Sequence, residues 1–122
     1  KCKFIDILQQ IIFDYLKKKK LKGKYSYFTI AGSAIGVTAN KFKKWHKTFW
    51  DNLDVSIKLH KISRLIVINH EDCGAAKIAN NKKKFNSLIE RKIHNESFKN
   101  IKKIIIKRYP YLKVSCTTLS LR

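Results

Sequence analysis

The sequence predicts an α/β domain with a mainly parallel sheet and helices on both of its faces. Three observations carry that prediction. Helix-like and strand-like apolar patterns alternate along the chain, and the segments between strand-like runs are long enough for right-handed crossovers. In addition, residues 64–69, RLIVIN, form a short continuous apolar run, the pattern of a strand covered on both faces.

The elements follow in order. Phe4, Ile5, Leu8, Ile11, Ile12, Tyr15 and Leu16 recur at helical spacing, and Gly23 is placed to end that helix. Residues 25–31, YSYFTIA, predict a strand that stops at Gly32, and residues 33–46 show no clean period and read as a connection. Thr48 with Asp51 gives a capping-box signal for a helix on which Leu53, Ile57 and His60 share a face. After the 64–69 strand, Phe85, Leu88, Ile89, Ile93, Phe98, Ile101 and Ile105 mark a long or broken helix that Pro110 ends. Leu112, Val114, Cys116 and Thr118 alternate with polar residues, as in a final strand.

Composition sets bounds on function. The 122 residues suit a single domain, with no internal repeat or low-complexity linker to divide them. Three cysteines, at 2, 73 and 116, are too few and odd in number for a disulfide scaffold, so the expected setting is reducing and cytoplasmic. No leader-like segment opens the chain, and no apolar run approaches the roughly 18 residues that a membrane span needs. The net charge of +20 raises the possibility of a basic nucleic-acid binder. Its make-up argues otherwise, because 24 lysines stand against 4 arginines while isoleucine and asparagine are also abundant. That bias is what A/T-rich coding produces, and arginine is the residue that reads bases and phosphates bidentately. Lys17 to Lys20 and Lys82 to Lys84 therefore read as solvated faces, without interleaved aromatics, and specific nucleic-acid binding is not expected.

The chemistry concentrates in residues 66–77, IVINHEDCGAAK. An apolar strand ends there in a histidine, two carboxylates and a cysteine, then turns through Gly74. His70 and Cys73, three apart on a strand-to-helix turn, aim an imidazole and a thiolate at one point. Nitrogen with sulfur suits zinc, at about 2.0–2.1 Å and 2.3 Å respectively. A following helix N-terminus favours the thiolate of Cys73. Taken alone, the same pair also fits a strand-end histidine beside a small buried thiol, and two ligands do not hold zinc.

With its surroundings, "LIVINHEDCGAAK" after "FWDNLDVSIKLHKI" resembles the β-class carbonic anhydrases. In that family an apolar strand delivers His-x-Asp-Cys-Gly, matched by His70, Asp72, Cys73 and Gly74. "FTIAGSA" resembles the family's second strand, ending in an Ala-Gly pair at Ala31 and Gly32, and "YPYLKVSCTTLSL" resembles its next strand. The resemblance implies zinc held by His70, Cys73 and a third cysteine, with an open position for a water that is made acidic enough to hydrate carbon dioxide to bicarbonate. It also implies a dimer or larger homo-oligomer. Asp72 would orient a ligand from behind or cap the following helix, and Glu71 would face solvent.

The family's third ligand lies in a Cys-x-Asp-x-Arg motif, and here the sequence departs. Cys2 stands about where the ligand should be, but position 4 is Phe, the nearest carboxylate is Asp6, and no arginine precedes Arg64. The strand that should carry the cysteine would lie upstream of residue 1. Three function classes follow: a zinc lyase hydrating carbon dioxide, a carbonic-anhydrase-like protein with impaired or lost activity, and a basic nucleic-acid binder resting on charge alone. Among the remaining residues, Cys116 reads as a small buried hydrophobe and His60 as a helix C-terminal group. His46 and His94 read as surface residues, and Trp45, Phe49 and Trp50 as core or interface.

Overall fold

A computed structural model describes residues 12–20, 28–71, 74–80 and 86–119. Residues 12–18 are the described part of a first helix, α1, which buries Leu16 and leaves Lys17 to Lys20 exposed, as solvated lysines should be. Gly23 and the predicted strand residues 25–27 lie outside the described residues. The remainder of that predicted strand, residues 28–31, is not a strand: it leads into a turn over 31–33.

From there the chain folds as a short helix α2 (Ala34–Thr38), a 3-10 turn (Asn40–Phe42), a helix α3 (Lys43–His60), strand β1 (Arg64–His70), helix α4 (Gly74–Asn80), helix α5 (Ser87–Arg108) and strand β2 (Lys113–Leu119). Residues 33–46 are thus two helical pieces and the start of a third, not a plain connection. No helical period shows there because α2 is one turn and a half long and buries Ala34, Ile35, Gly36 and Val37 together. All of its sides meet protein, so there is no polar face to reveal a stripe.

Helix α3 begins five residues before Thr48, which removes the predicted capping box. Asp51 instead pairs with Lys47 at 2.8 Å, and the Thr48 carbonyl accepts from Asn52 Nδ2. The helix buries Phe49, Trp50 and Leu53 and ends with Lys61 in the left-handed region, its N–H returning to the Ile57 carbonyl at 3.1 Å. Ile57 is half-buried and His60 exposed, so the predicted face is only partly covered. Phe49 meets Phe28 and Trp50 edge-on, and the Arg108 guanidinium lies 4.9 Å from the Trp50 ring centre. His46 is half-buried, not a surface residue, and its Nε2 is enclosed without a hydrogen-bond partner.

Strands β1 and β2 pair in parallel, Arg64 opposite Lys113 through His70 opposite Leu119. Bonds from Lys113 N–H to the Ser63 carbonyl and from Glu71 N–H to the Leu119 carbonyl, both 3.0 Å, extend the ladder at either end. Within β1, Val67 and Asn69 are buried while Leu65, Ile66 and Ile68 are half-buried. Cys116 in β2 is half-buried against the core, and burial raises its thiol pKa, consistent with an inert packing group.

The crossover between the strands runs through α4 and α5. Helix α5 is one unbroken 22-residue helix, capped by Asn86, whose side chain accepts from Ile89 N–H at 2.9 Å. Its inward stripe is Glu90, His94, Ser97, Ile101 and Ile105. Leu88, assigned to the apolar face by the sequence, is 72% exposed, and Phe85 lies outside the described residues. The main core joins Ala34, Val37, Phe49, Trp50, Leu53, Val67, Ile101, Ile105 and Leu112; a smaller one joins Ile35, Ala75 and Ala76. No helix among the described residues is long and apolar enough to cross a membrane.

Two tests follow from these contacts. Gly32 has φ +78°, and a Cβ placed on it would stand 2.7 Å from the Ala75 Cβ. Gly32→Ala combines a left-handed penalty with a clash into α4, and should lower the unfolding free energy in urea by about 2 kcal/mol or more. The second test concerns Asp54, which accepts from Lys58 at 2.9 Å and from the Tyr109 hydroxyl at 3.0 Å. The Lys58 bond, then the Tyr109 bond, hold its carboxyl below the usual carboxylate range. A depressed folded-state pKa contributes stability that is complete above the unfolded value, about 4, and is lost as pH falls through the folded value. Urea midpoints should therefore fall less across that acid window in Asp54→Asn than in the wild type.

Candidate functional site

The site is built around an asparagine at the end of an apolar strand. Asn69 is 1% exposed, and a carboxamide there must find its bonds inside the protein. It finds three. Its Oδ1 accepts from the Ala34 N–H of α2 at 3.1 Å, and its Nδ2 lies 2.8 Å from His94 Nδ1 and donates to Ser97 Oγ at 3.3 Å.

The Ala34 N–H settles which way the amide points, since a backbone donor requires oxygen opposite it. With Nδ2 then facing the ring, His94 Nδ1 must accept, and the neutral imidazole carries its proton on Nε2. That nitrogen lies 3.0 Å from Glu90 Oε2, to which it donates. Ser97 Oγ donates in turn to the His94 carbonyl at 2.7 Å. His94 is 2% exposed and Glu90 7%, so the predicted surface histidine is an interior one.

These bonds draw the turn at Ala31, Gly32 and Ser33 onto the strand end. Ser33 has φ 49° and ψ −114°, a conformation rare for a residue with a side chain, and its hydroxyl makes no cap bond to α2. Asn69, 35 positions along the chain, satisfies the first α2 N–H in its place. Gly32 lies against Ala75 at the start of α4, and Gly36 leaves room for the Ala31 carbonyl, which an added Cβ would strike. Three segments therefore converge at the carboxyl end of β1: the 31–33 turn, the strand terminus and the N-terminal turn of α4. Sites in parallel α/β sheets lie at such strand ends.

His70 is the last residue of β1 and is half-buried. Its Nδ1 lies 2.7 Å from the Glu71 carbonyl oxygen, which can only accept, so Nδ1 bears the proton. In the neutral ring the lone pair is then on Nε2, the form in which histidine serves as a metal ligand with its orientation fixed from behind. Glu71, expected to face solvent, is half-buried and uses its N–H to bond Leu119.

Of the other residues singled out by sequence, Cys2, Asp6, Asp72 and Cys73 lie outside the described residues, and Gly74 opens α4. Among the described residues no three His, Cys, Asp or Glu side chains group closely enough to hold a metal ion. The sequence reading did not find Glu90, His94 and Ser97. Their signal was the Ile105–Ile101 stripe of α5 continued backwards at helical spacing, together with an asparagine inside an apolar strand.

Residues 5–111 match the model of the family described as "Putative carbonic anhydrase". An uncharacterised protein of Rickettsia bellii is 27% identical over 100 residues, covering 81% of this chain and 61% of that protein. A second uncharacterised protein, from Rickettsia conorii, is 26% identical over 100 residues, covering 81% of this chain and 54% of that protein. The matched part of this chain thus spans little more than half the length of those relatives. No solved structure matches significantly.

Proposed function

The chain belongs to the carbonic-anhydrase-like family, and from that premise we propose that it is a zinc protein whose substrate is carbon dioxide or bicarbonate. His70 and Cys73 would hold the metal, with Cys2 as the third ligand. When bound, zinc would supply the Lewis-acid chemistry for reversible hydration of carbon dioxide. The observation that carries this reading is the placement of the His70 ring. It sits at the carboxyl end of a parallel strand, half-buried, with its orientation fixed by the bond from Nδ1 to the Glu71 carbonyl.

The donor chemistry fits zinc better than a harder cation, since an imidazole nitrogen and a thiolate are the ligands that zinc prefers. Asp72 would orient a ligand or cap α4, and Asp6 is the carboxylate nearest Cys2 in sequence. A homo-oligomer and a cytoplasmic setting complete the proposal.

Protein purified without chelator should contain zinc by elemental analysis, and His70→Ala and Cys73→Ser should each lower that content severalfold. Metal content indifferent to both substitutions would sink the assignment of ligands.

The rate of hydration is a separate matter. In the resembled family an aspartate–arginine pair controls the metal's open position, whereas the given sequence has no arginine in its first 63 residues and carries Leu8 two positions after Asp6. A carboxylate without its arginine has no fixed orientation, and loss of preorganised geometry lowers rate steeply. Stopped-flow assay of this chain, with zinc added, should show hydration at least about a hundredfold slower than in a family member with the arginine. Brisk hydration that disappears in Cys73→Ser would overturn this expectation while supporting the ligands.

A further inference from the structure

We propose that Glu90, His94 and Asn69 form a positioning relay that fixes the end of β1 against the turn at Gly32 and Ser33, and so holds the backbone that carries His70. The polarity of the bonds is the first argument. Ala34 N–H donates to Asn69, Asn69 donates to His94, and His94 donates to the Glu90 carboxylate. Every donor points the same way, toward the acidic group, so each bond polarises the next in the same sense. The N-terminus of α2 is in effect capped through two intervening side chains by a carboxylate on α5.

The second argument is that each member has one arrangement. Reversing the Asn69 amide would set Nδ2 against the Ala34 N–H, and moving the His94 proton to Nδ1 would set it against Nδ2. Ser97 closes the remaining freedom by accepting the second Asn69 proton while donating to the His94 carbonyl. The network is unsuited to sliding or re-pairing, which is what a locator requires.

The third argument is position. Successive strand residues point to opposite faces, so Asn69 directed inward places His70 on the other side of the same peptide. Immobilising the Asn69 side chain by three bonds immobilises the backbone that carries the His70 ring. Helix α2 has five residues, too few to hold its own geometry without such an anchor.

The consequence for metal affinity rests on the reading of His70 as a zinc ligand; the relay itself does not. The test therefore uses readouts of both kinds on the full chain. Nitrogen-15 NMR of histidine-labelled protein should show His94 with protonated Nε2 and unprotonated Nδ1, and slow exchange of the Ala34 amide. Two substitutions then divide the ring's roles. His94→Asn keeps an acceptor near the Nδ1 position, whereas His94→Gln keeps a donor toward Glu90 but loses the acceptor for Asn69. We expect His94→Asn to keep the Ala34 amide protected and to bind zinc within about threefold of wild type, by competition with a chromophoric chelator. His94→Gln should expose that amide and weaken zinc by about tenfold. Equal zinc affinity and equal Ala34 exchange in the two variants, or a proton found on His94 Nδ1, would overturn the relay. If the Gln variant does not fold, the wild-type ring assignment and the Asn variant decide the question. Failure of the wild type to bind zinc would sink the ligand assignment alone, and the tautomer and the Ala34 amide would still test the relay.

Discussion

The described structure hangs on one carboxamide. Asn69 touches three elements that are distant in sequence: α2 through Ala34, α5 through His94 and Ser97, and its own strand. An unpaired amide in its place would cost a few kcal/mol, because each buried group left without a partner costs about 1–3 kcal/mol. The cost is avoided only when all three neighbours stand in their observed places. Burial of the apolar core supplies the driving force for folding, but it is tolerant of small shifts. The amide is not, and it selects which of the nearby packings is native.

That requirement explains why α2 exists. By local criteria it should not: it is five residues long, follows a left-handed serine, and its preceding residue offers no cap bond. It holds because its first N–H is satisfied from β1 and because Ala34 and Val37 enter the main core while Ile35 enters the second. Two glycines, one before the helix and one within it, serve the same end. Gly32 permits the turn and the approach of Ala75, and Gly36 lets the Ala31 carbonyl sit against the helix. The small residues of "IAGSAIG" are thus the imprint of close backbone approach, and not of a strand.

What the sequence made legible was whatever depends on local apolar pattern. The strand read at 64–69, the final strand, the helix before Pro110 and the parallel α/β class were all readable, because each rests on a local apolar pattern. The histidine at the strand end was readable from its spacing to Cys73 and from a familiar order of residues. The interior polar cluster was not. A glutamate, a histidine and a serine on a lysine-rich helix look like solvent-facing residues until Asn69 is known to point at them. Tertiary hydrogen bonding, which reverses the usual meaning of a polar side chain, has no local signature. Leu88 fails in the opposite direction, an apolar residue left outside because the helix turned its polar stripe inward.

The parallel pairing of β1 and β2 bears on how the chain reaches this state. Arg64 pairs with Lys113 and His70 with Leu119, so each pair in the ladder joins residues 49 positions apart. No short hairpin can seed such a ladder; its first bond must close a loop that contains the whole of α4 and α5. Closing a flexible loop of that length is entropically costly, and a preformed α5 lowers the cost by replacing loose chain with a rigid rod. Helix α5 carries both the apolar stripe that receives the strands and the polar stripe that receives Asn69. Strand pairing and site assembly therefore draw on the same helix, and both require closure of the same loop.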